Sequence, residues 1–303
     1  MRIGTRRSAL ALTQARLVAD RLDAGRQEGS EIVPIVTQGD RGLDVEDKSR
    51  WVSELEDALL RGEIDLAVHS AKDVPGELAD GLVLVGAPAR ASAADVLCGA
   101  DGLHGLSSGA RVGTSSIRRT AQLRSAREDL EVIAMRGNVD TRLSRLERGD
   151  FDAIVLAAAG LERLGRTGVI GAVLDPELFV PAPGQGTLAL QARADEERVR
   201  EAVQEITDAA TLACLLAERA LARELQASCR TPLGARAVPA GCGCLRLRAW
   251  VGLPDGSAWI SDELLGGFYD PEELGHDVAA RLRLAGAGEL LQRAEEMASV
   301  GNA

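Results

Sequence analysis

The feature that most constrains this chain is a unit that recurs in its first 150 residues. A short apolar run ends in arginine with a hydroxyl or amide beside it, and a helix begins at once. The unit is clearest at Gly113-Thr114-Ser115-Ser116-Ile117-Arg118-Arg119, where Ser115 or Ser116 is placed to cap a helix reaching about Ala126. It recurs at Thr5-Arg6-Arg7-Ser8, ahead of a helix to about Asp23, and at Arg136-Gly137-Asn138, ahead of a helix holding Arg142. Strand, polar turn and helix in that order predict an open α/β sheet. Such sheets bind ligands at the carboxyl ends of their strands. A helix start offers free N–H groups and the positive end of the macrodipole, and arginine grips carboxylates with a forked pair of bonds. Each unit therefore reads as an anion site, although a capped helix with solvated arginines would carry the same letters. The surroundings favour the anion: residues 111–148 hold nine arginines against five acids, in a chain whose net charge is −11.

The remaining periodicities fill in the frame. Strands are expected at 2–5, Glu31–Thr37, Ile64–Val68, Leu82–Val85, Asp95–Cys98, Glu131–Met135, Asp152–Leu156 and Leu188–Gln191. Pro34 marks the second as an edge or a bulge. Helices are expected over Trp51–Leu60, Ala157–Leu164 and Asp195–Ile206; Gln38–Arg50 and Leu103–Ala110 read as loops. Ala87–Ala94 is a plausible crossing between domains, and Pro181-Ala182-Pro183-Gly184-Gln185-Gly186 a stiff linker. From about Asp208 the character changes. A long Ala/Leu/Glu/Arg helix reaches about Gln226, strands follow near 233–238, 245–252 and 257–264, and a final helix starts at Pro271. The expected fold is α/β: two lobes around a cleft, lobe 1 at 1–88 and 187–206 and lobe 2 at 92–182, with a small α+β domain at 208–303.

Composition narrows the function classes. Aromatic residues make up 2% of the chain, so the cores rest on Leu, Val, Ile and Ala. Few aromatics and net acidity argue against nucleic acid. No apolar run reaches 18 residues and no signal-peptide pattern opens the chain, so a cytoplasmic protein without membrane partners is expected. Five cysteines (98, 214, 229, 242, 244) make a disulfide framework improbable, and three scattered histidines give no metal spacing. Cys242-Gly243-Cys244 reads as a turn with incidental thiols rather than a metal or redox pair, and no metal is expected.

Three local readings stay open on the residues alone. Lys72 and Asp73, after the apolar run 64–68, are either a surface ion pair or an anion grip beside a proton-handling carboxylate. His69 reads as a satisfied structural histidine rather than a catalyst. Cys229, next to Arg230 in a polar loop, reads on composition as an inert thiol, though a neighbouring cation would favour the thiolate.

Seven motifs in order resemble the hydroxymethylbilane synthase, or porphobilinogen deaminase, family of tetrapyrrole biosynthesis. They are TRRSALALTQA (5–15), ELEDALLRGEIDLAVHSAKDVP (54–75), VGTSSIRR (112–119), RGNVDTRLSRL (136–146), DAIVLAAAGLERLG (152–165), PAPGQG (181–186) and the Cys-x-x-Pro-x-Gly loop at 229–234. The resemblance implies two periplasmic-binding-protein-like lobes and a third domain. It implies stepwise condensation of four porphobilinogens, with loss of ammonia, on a dipyrromethane cofactor thioether-linked to Cys229. It implies Asp73 as the catalytic carboxylate, facing pyrrole N–H groups and the cationic azafulvene left by ammonia. Lys72, Thr114, Ser115, Ser116, Arg118, Arg119, Arg136 and Gln185 would hold the cofactor, and Arg6, Ser8, Ser70, Arg142, Arg163 and Lys48 the substrate. A monomer acting on porphobilinogen and polypyrrole intermediates is expected. The stretch Gly39–Trp51 departs from the family: it is shorter and acidic, and keeps only Lys48 as counterpart to a lysine of the family's lid loop. A non-catalytic two-lobed binding protein would share the cleft, but would need neither Asp73 nor Cys229.

Overall fold

The computed structural model describes residues 1–24, 29–37, 52–228 and 230–300. Two five-stranded sheets carry the first two-thirds of the chain. The first has the order β2-β1-β3-β10-β4, from β1 (Arg2–Arg6), β2 (Glu31–Ile35), β3 (Leu66–Ser70), β4 (Leu82–Gly86) and β10 (Leu188–Arg193). The second has the order β7-β6-β8-β5-β9, from β5 (Asp95–Cys98), β6 (Arg111–Gly113), β7 (Glu131–Ile133), β8 (Ala153–Ala157) and β9 (Ile170–Val173). The two share one plan. Four of the five strands run in one direction, and the one fourth in order is antiparallel and has just arrived from the other sheet. The chain thus crosses twice, through residues 87–94 into β5 and through 174–187 into β10.

Burial follows strand position. The central β3 and β8 are apolar runs covered on both faces, as parallel strands require. Pro34 lies in β2, an edge strand, where its missing N–H costs no ladder bond. Helix α1 (Ala9–Asp23) is capped by Ser8, whose side chain accepts from the Ala11 N–H. Helix α3 (Ile117–Ala126) is capped by Ser116, not Ser115, and α4 (Val139–Glu147) by Asn138. Helix α2 (Ser53–Leu60) packs Leu55 and Leu59 with Ile64, while α6 (Glu197–Gln204) returns to the first sheet through Val199, Ala202 and Val203. Helix α5 (Ala158–Arg163) follows β8 directly.

The third unit is an antiparallel sheet, β11 (Leu233–Pro239), β12 (Cys244–Gly252) and β13 (Trp259–Gly267), backed by α7 (Ala209–Glu224), α8 (Pro271–Leu284) and α9 (Ala287–Val300). Its other face lies on the second lobe: Trp250 packs with Ala121 and Val180, the Ala235 N–H donates to Pro181 O (2.8 Å), and Glu177 pairs with Arg236 and Arg246. Cys242 and Gly243 form the positive-φ centre of the β11–β12 turn, closed by the Cys244 N–H to Gly241 O.

Three expectations are corrected. Strand β3 spans Leu66–Ser70 rather than Ile64–Val68, so His69 and Ser70 belong to the strand itself. Strand β9 is additional to those expected. The final helix is two helices, α8 and α9, parted at Gly286, whose φ is +97°. Among the described residues no helix is long and apolar enough to cross a membrane.

Candidate active site

The site is built at the carboxyl ends of β1, β3, β6 and β7. Strand β3 passes into a 3₁₀ turn, Ala71–Asp73, closed by the Val74 N–H to Ala71 O. The turn is held from several sides. Ser70 exchanges hydrogen bonds with Gln14 of α1 (2.9 Å from Gln14 Nε2). The Ala71 N–H donates to Thr187 O at 3.0 Å. Gly184, with φ +72°, lies so close that a Cβ there would stand 2.9 Å from Ala71 Cβ and 3.1 Å from Lys72 N. Arg219 of α7 donates to the carbonyls of Val74, Pro75 and Gly76 at 3.4, 2.8 and 2.9 Å. Lys72 and Asp73 themselves are half-buried on this arch.

His69, just before the turn, is a satisfied core histidine. Its Nε2 lies 2.9 Å from Gln191 Oε1, and Gln191 donates on to Glu56 at 2.8 Å. Burial pushes the imidazole pKa down to about 4, more than the Gln191 bond and the charge of Asp73 restore.

On the second sheet the β6–α3 turn sits beside β7. Ser115 Oγ donates to Met135 O at 2.5 Å, and Thr114 Oγ1 accepts from the Ser116 N–H at 3.2 Å. Arg118 and Arg119 turn inward onto one buried carboxylate, Asp95. Arg119 donates to Oδ1 at 2.7 Å through Nη2, and Arg118 Nη2 lies 2.8 Å from Oδ2. Gln185 donates to the same Oδ1 at 2.8 Å and to Ala93 O at 2.7 Å. Burial by itself would raise the Asp95 pKa, but the two guanidiniums and these hydrogen bonds hold it well below the carboxylate range. Arg118 is pushed down, chiefly by burial and also by the charge of Arg119, against the opposing pull of Asp95.

Asp95 offsets only one of these charges. Arg142, bonded through Nε to Gly137 O at 2.8 Å, is pushed down to about 10 by burial and by the charge of Arg119. Arg163 donates to Gly186 O at 2.6 Å and is also lowered to about 10, mainly by burial. Both remain cations at neutral pH, so the sheet ends carry surplus positive charge. Arg118 Nε and Thr187 Oγ1 are buried without a hydrogen-bond partner among the described residues. The acceptors Gln122 Oε1 and Gln185 Oε1 are buried without a hydrogen-bond partner there too, so it is the surplus charge of Arg142 and Arg163, not the unpaired atoms, that suits an anionic ligand.

The structure thus joins Gln185 to Arg118 and Arg119 through Asp95, sets Arg142 beside Arg119, and places the Gly184–Gly186 loop against the Asp73 turn. Arg6 ends β1 half-buried, Ser8 starts α1, and Arg136 is exposed after β7. Cys229 and Lys48 lie outside the described residues. Asp95, Arg90, Glu218 and Arg219 are structural members that sequence reasoning missed. Each is a charged residue inside or beside an apolar run, with partners far away in the chain, so local spacing gives no signal for them.

Two α/β lobes joined by double crossings, their strand ends lined with arginine around a fixed carboxylate, define a two-lobed α/β protein with surplus positive charge at its strand ends. A family model described as "Porphobilinogen deaminase, dipyromethane cofactor binding domain" matches residues 1–201, and "Porphobilinogen deaminase, C-terminal domain" matches 212–283. A porphobilinogen deaminase of Brevibacillus brevis is 44% identical over 298 residues, covering 96% of each chain. One of Stenotrophomonas maltophilia is 46% identical over 299 residues, covering 96% of this chain and 98% of its own. Among solved structures, the methionine-binding protein MetQ is similar over 68% of this chain with a TM-score of 0.44 and 14% identity, a level that says nothing of ligand or chemistry. The chain belongs to the porphobilinogen deaminase family. It is a transferase of tetrapyrrole biosynthesis that converts porphobilinogen into hydroxymethylbilane on a dipyrromethane cofactor.

Proposed function

We propose the following division of labour among this chain's residues. Asp73 is the catalytic carboxylate. One Oδ accepts a hydrogen bond from the pyrrole N–H of the incoming porphobilinogen. As ammonia leaves, the carboxylate stabilises the cation that forms and then takes up the proton released at the new bond. Cys229 would anchor the dipyrromethane, which when bound would supply the carbon nucleophile. Arg118, Arg119 and Arg142, with Lys72, Thr114, Ser115, Ser116, Arg136 and Gln185, hold the acetate and propionate side chains. Arg6, Ser8, Ser70 and Arg163 orient the incoming unit, and Lys48 belongs to the lid.

The observation that carries this reading is the surplus guanidinium charge at the strand ends, joined through the Gly184–Gly186 loop to the braced turn that holds Asp73. The arginines bind by charge, and Asp73 serves the reacting centre. The protein is a cytoplasmic monomer in this reading, with lobes at 1–88 plus 187–206 and 92–182 and the cofactor-bearing domain at 208–303.

The test is intact mass and turnover measured together. The wild type carries an excess equal to two linked pyrrole units. Cys229→Ser has the bare polypeptide mass and no turnover. Asp73→Asn keeps the excess mass and loses at least about 100-fold in kcat. A loaded Asp73→Asn enzyme with near-normal kcat removes Asp73 from its role, and a loaded Cys229→Ser protein removes the anchor.

A further inference from the structure

Helix α7 of the third unit reaches the Asp73 arch with two residues of one face. Leu215 packs with Ala71 and Val74, and Arg219, one turn on, lies against the carbonyls that follow. Arg219 is 8% exposed, and its hydrogen-bond partners among the described residues are three consecutive backbone carbonyls rather than a carboxylate. Glu77 and Glu272 act on it only through longer-range charge, and burial pushes it down to about 10, so it stays a cation. A buried guanidinium without a paired carboxylate is a costly way to fix a loop. Its planar fork can span successive carbonyls, which a lysine ammonium cannot do in the same fixed geometry.

We propose that Arg219 is a positioning residue for the reaction: by gripping the carbonyls of Val74, Pro75 and Gly76 it fixes the backbone that carries Asp73, and with it the place of the carboxylate. The Ala71 N–H bond to Thr187 O holds the arch at one end and Arg219 holds it at the other. The third domain thereby sets the geometry of a residue on the first lobe, in addition to carrying the cofactor thiol. This inference rests on the assignment of Asp73 as the catalytic carboxylate.

The experiment compares Arg219→Met and Arg219→Lys, each alone and combined with Asp73→Glu, by intact mass, thermal midpoint, kcat and KM. The expected Arg219→Met enzyme is loaded with cofactor, has KM within about threefold of the wild type, and loses about 10- to 100-fold in kcat. Arg219→Lys, keeping charge and part of the grip, recovers some of that loss. On the Asp73→Glu background, where the carboxylate is already displaced, Arg219→Lys causes little further loss. A loaded Arg219→Met enzyme with kcat within twofold of the wild type overturns the proposal. So does a loss that adds in full to that of Asp73→Glu, which marks a general structural role. If Arg219→Met yields no folded protein, Arg219→Lys is judged by the same criteria. An Asp73→Asn enzyme with near-normal turnover instead overturns the assignment of Asp73, which separates that failure from the failure of Arg219.

Discussion

His69 shows what one buried ring does to the acid side of the stability curve. Its imidazole is folded away beside Gln191 with a pKa near 4, whereas an unfolded histidine titrates near 6.5. Between these values the unfolded chain binds the extra proton, so stability rises with pH across that window and is lost as pH falls through it. The loss reaches about 3 kcal/mol at pH 4. Asp95 has the opposite kind of shift. Its depressed pKa stabilises the fold above the ordinary carboxylate value and is lost only below it, so the two effects occupy separate ranges. Denaturant midpoints from pH 8 to 4 for the wild type and His69→Asn therefore converge as pH falls below 6.5. Curves that stay parallel through that window would show that His69 is not held neutral.

At the scale of elements, the decisive meeting is between two short turns. The Gly184–Gly186 segment lies on the Ala71–Asp73 turn because Gly184 is in the left-handed region and has no Cβ to strike Ala71 or Lys72 N. Gly184→Ala adds backbone strain of about 1 kcal/mol and pushes on the Asp73 turn itself. The expected result is a modest loss in thermal midpoint with a larger loss in kcat, about tenfold or more. An alanine enzyme that loses stability but keeps kcat would mean the turn does not feel the loop. Much of this frame is legible in the sequence, because caps and strand ends are local. Ser8, Ser116 and Asn138 announce their helices, Pro34 announces an edge strand, and the PAPGQG stretch announces a stiff connection. Strand β9 is not legible, since Ile170–Val173 is a four-residue edge strand, half-exposed and interrupted by Gly171. Helices α8 and α9 run together in the sequence because Ala285 and Ala287 flank Gly286, and Gly288 inside α9 blurs the signal of a break. Asp95 escapes for another reason: it opens an apolar run like any strand residue, and only folding brings Arg118, Arg119 and Gln185 onto it.

At the scale of the whole molecule, a single carboxylate joins the three units. Glu218 of α7 is fully buried and accepts hydrogen bonds from Arg90 Nη1 (2.6 Å), the Gly184 N–H (2.6 Å) and the Ala237 N–H (2.7 Å). Arg90 belongs to the first crossing, Gly184 to the second and Ala237 to β11 of the third unit. Arg90 strengthens the junction by donating through Nε to Gln185 O at 2.8 Å, and its own N–H donates to Thr211 Oγ1 at 3.0 Å. Both connections between the lobes are thus tied to the third domain at one point. The two connections and the third unit therefore share one buried anchor. Glu218→Gln keeps the size of the side chain but brings an amide NH₂ toward a buried guanidinium that no longer has a counter-charge. Breaking a buried pair in this way costs about 3–5 kcal/mol, which for a chain of this length lowers the thermal midpoint by roughly 5–10 °C. Because the junction is shared, the loss also uncouples the units. Calorimetry of Glu218→Gln should show a broader or split transition where the wild type shows one, with the cofactor still attached. A single transition at an unchanged midpoint would place the coupling elsewhere, on the packing of Trp250 and the ion pairs of Glu177 that fasten the third unit to the second lobe.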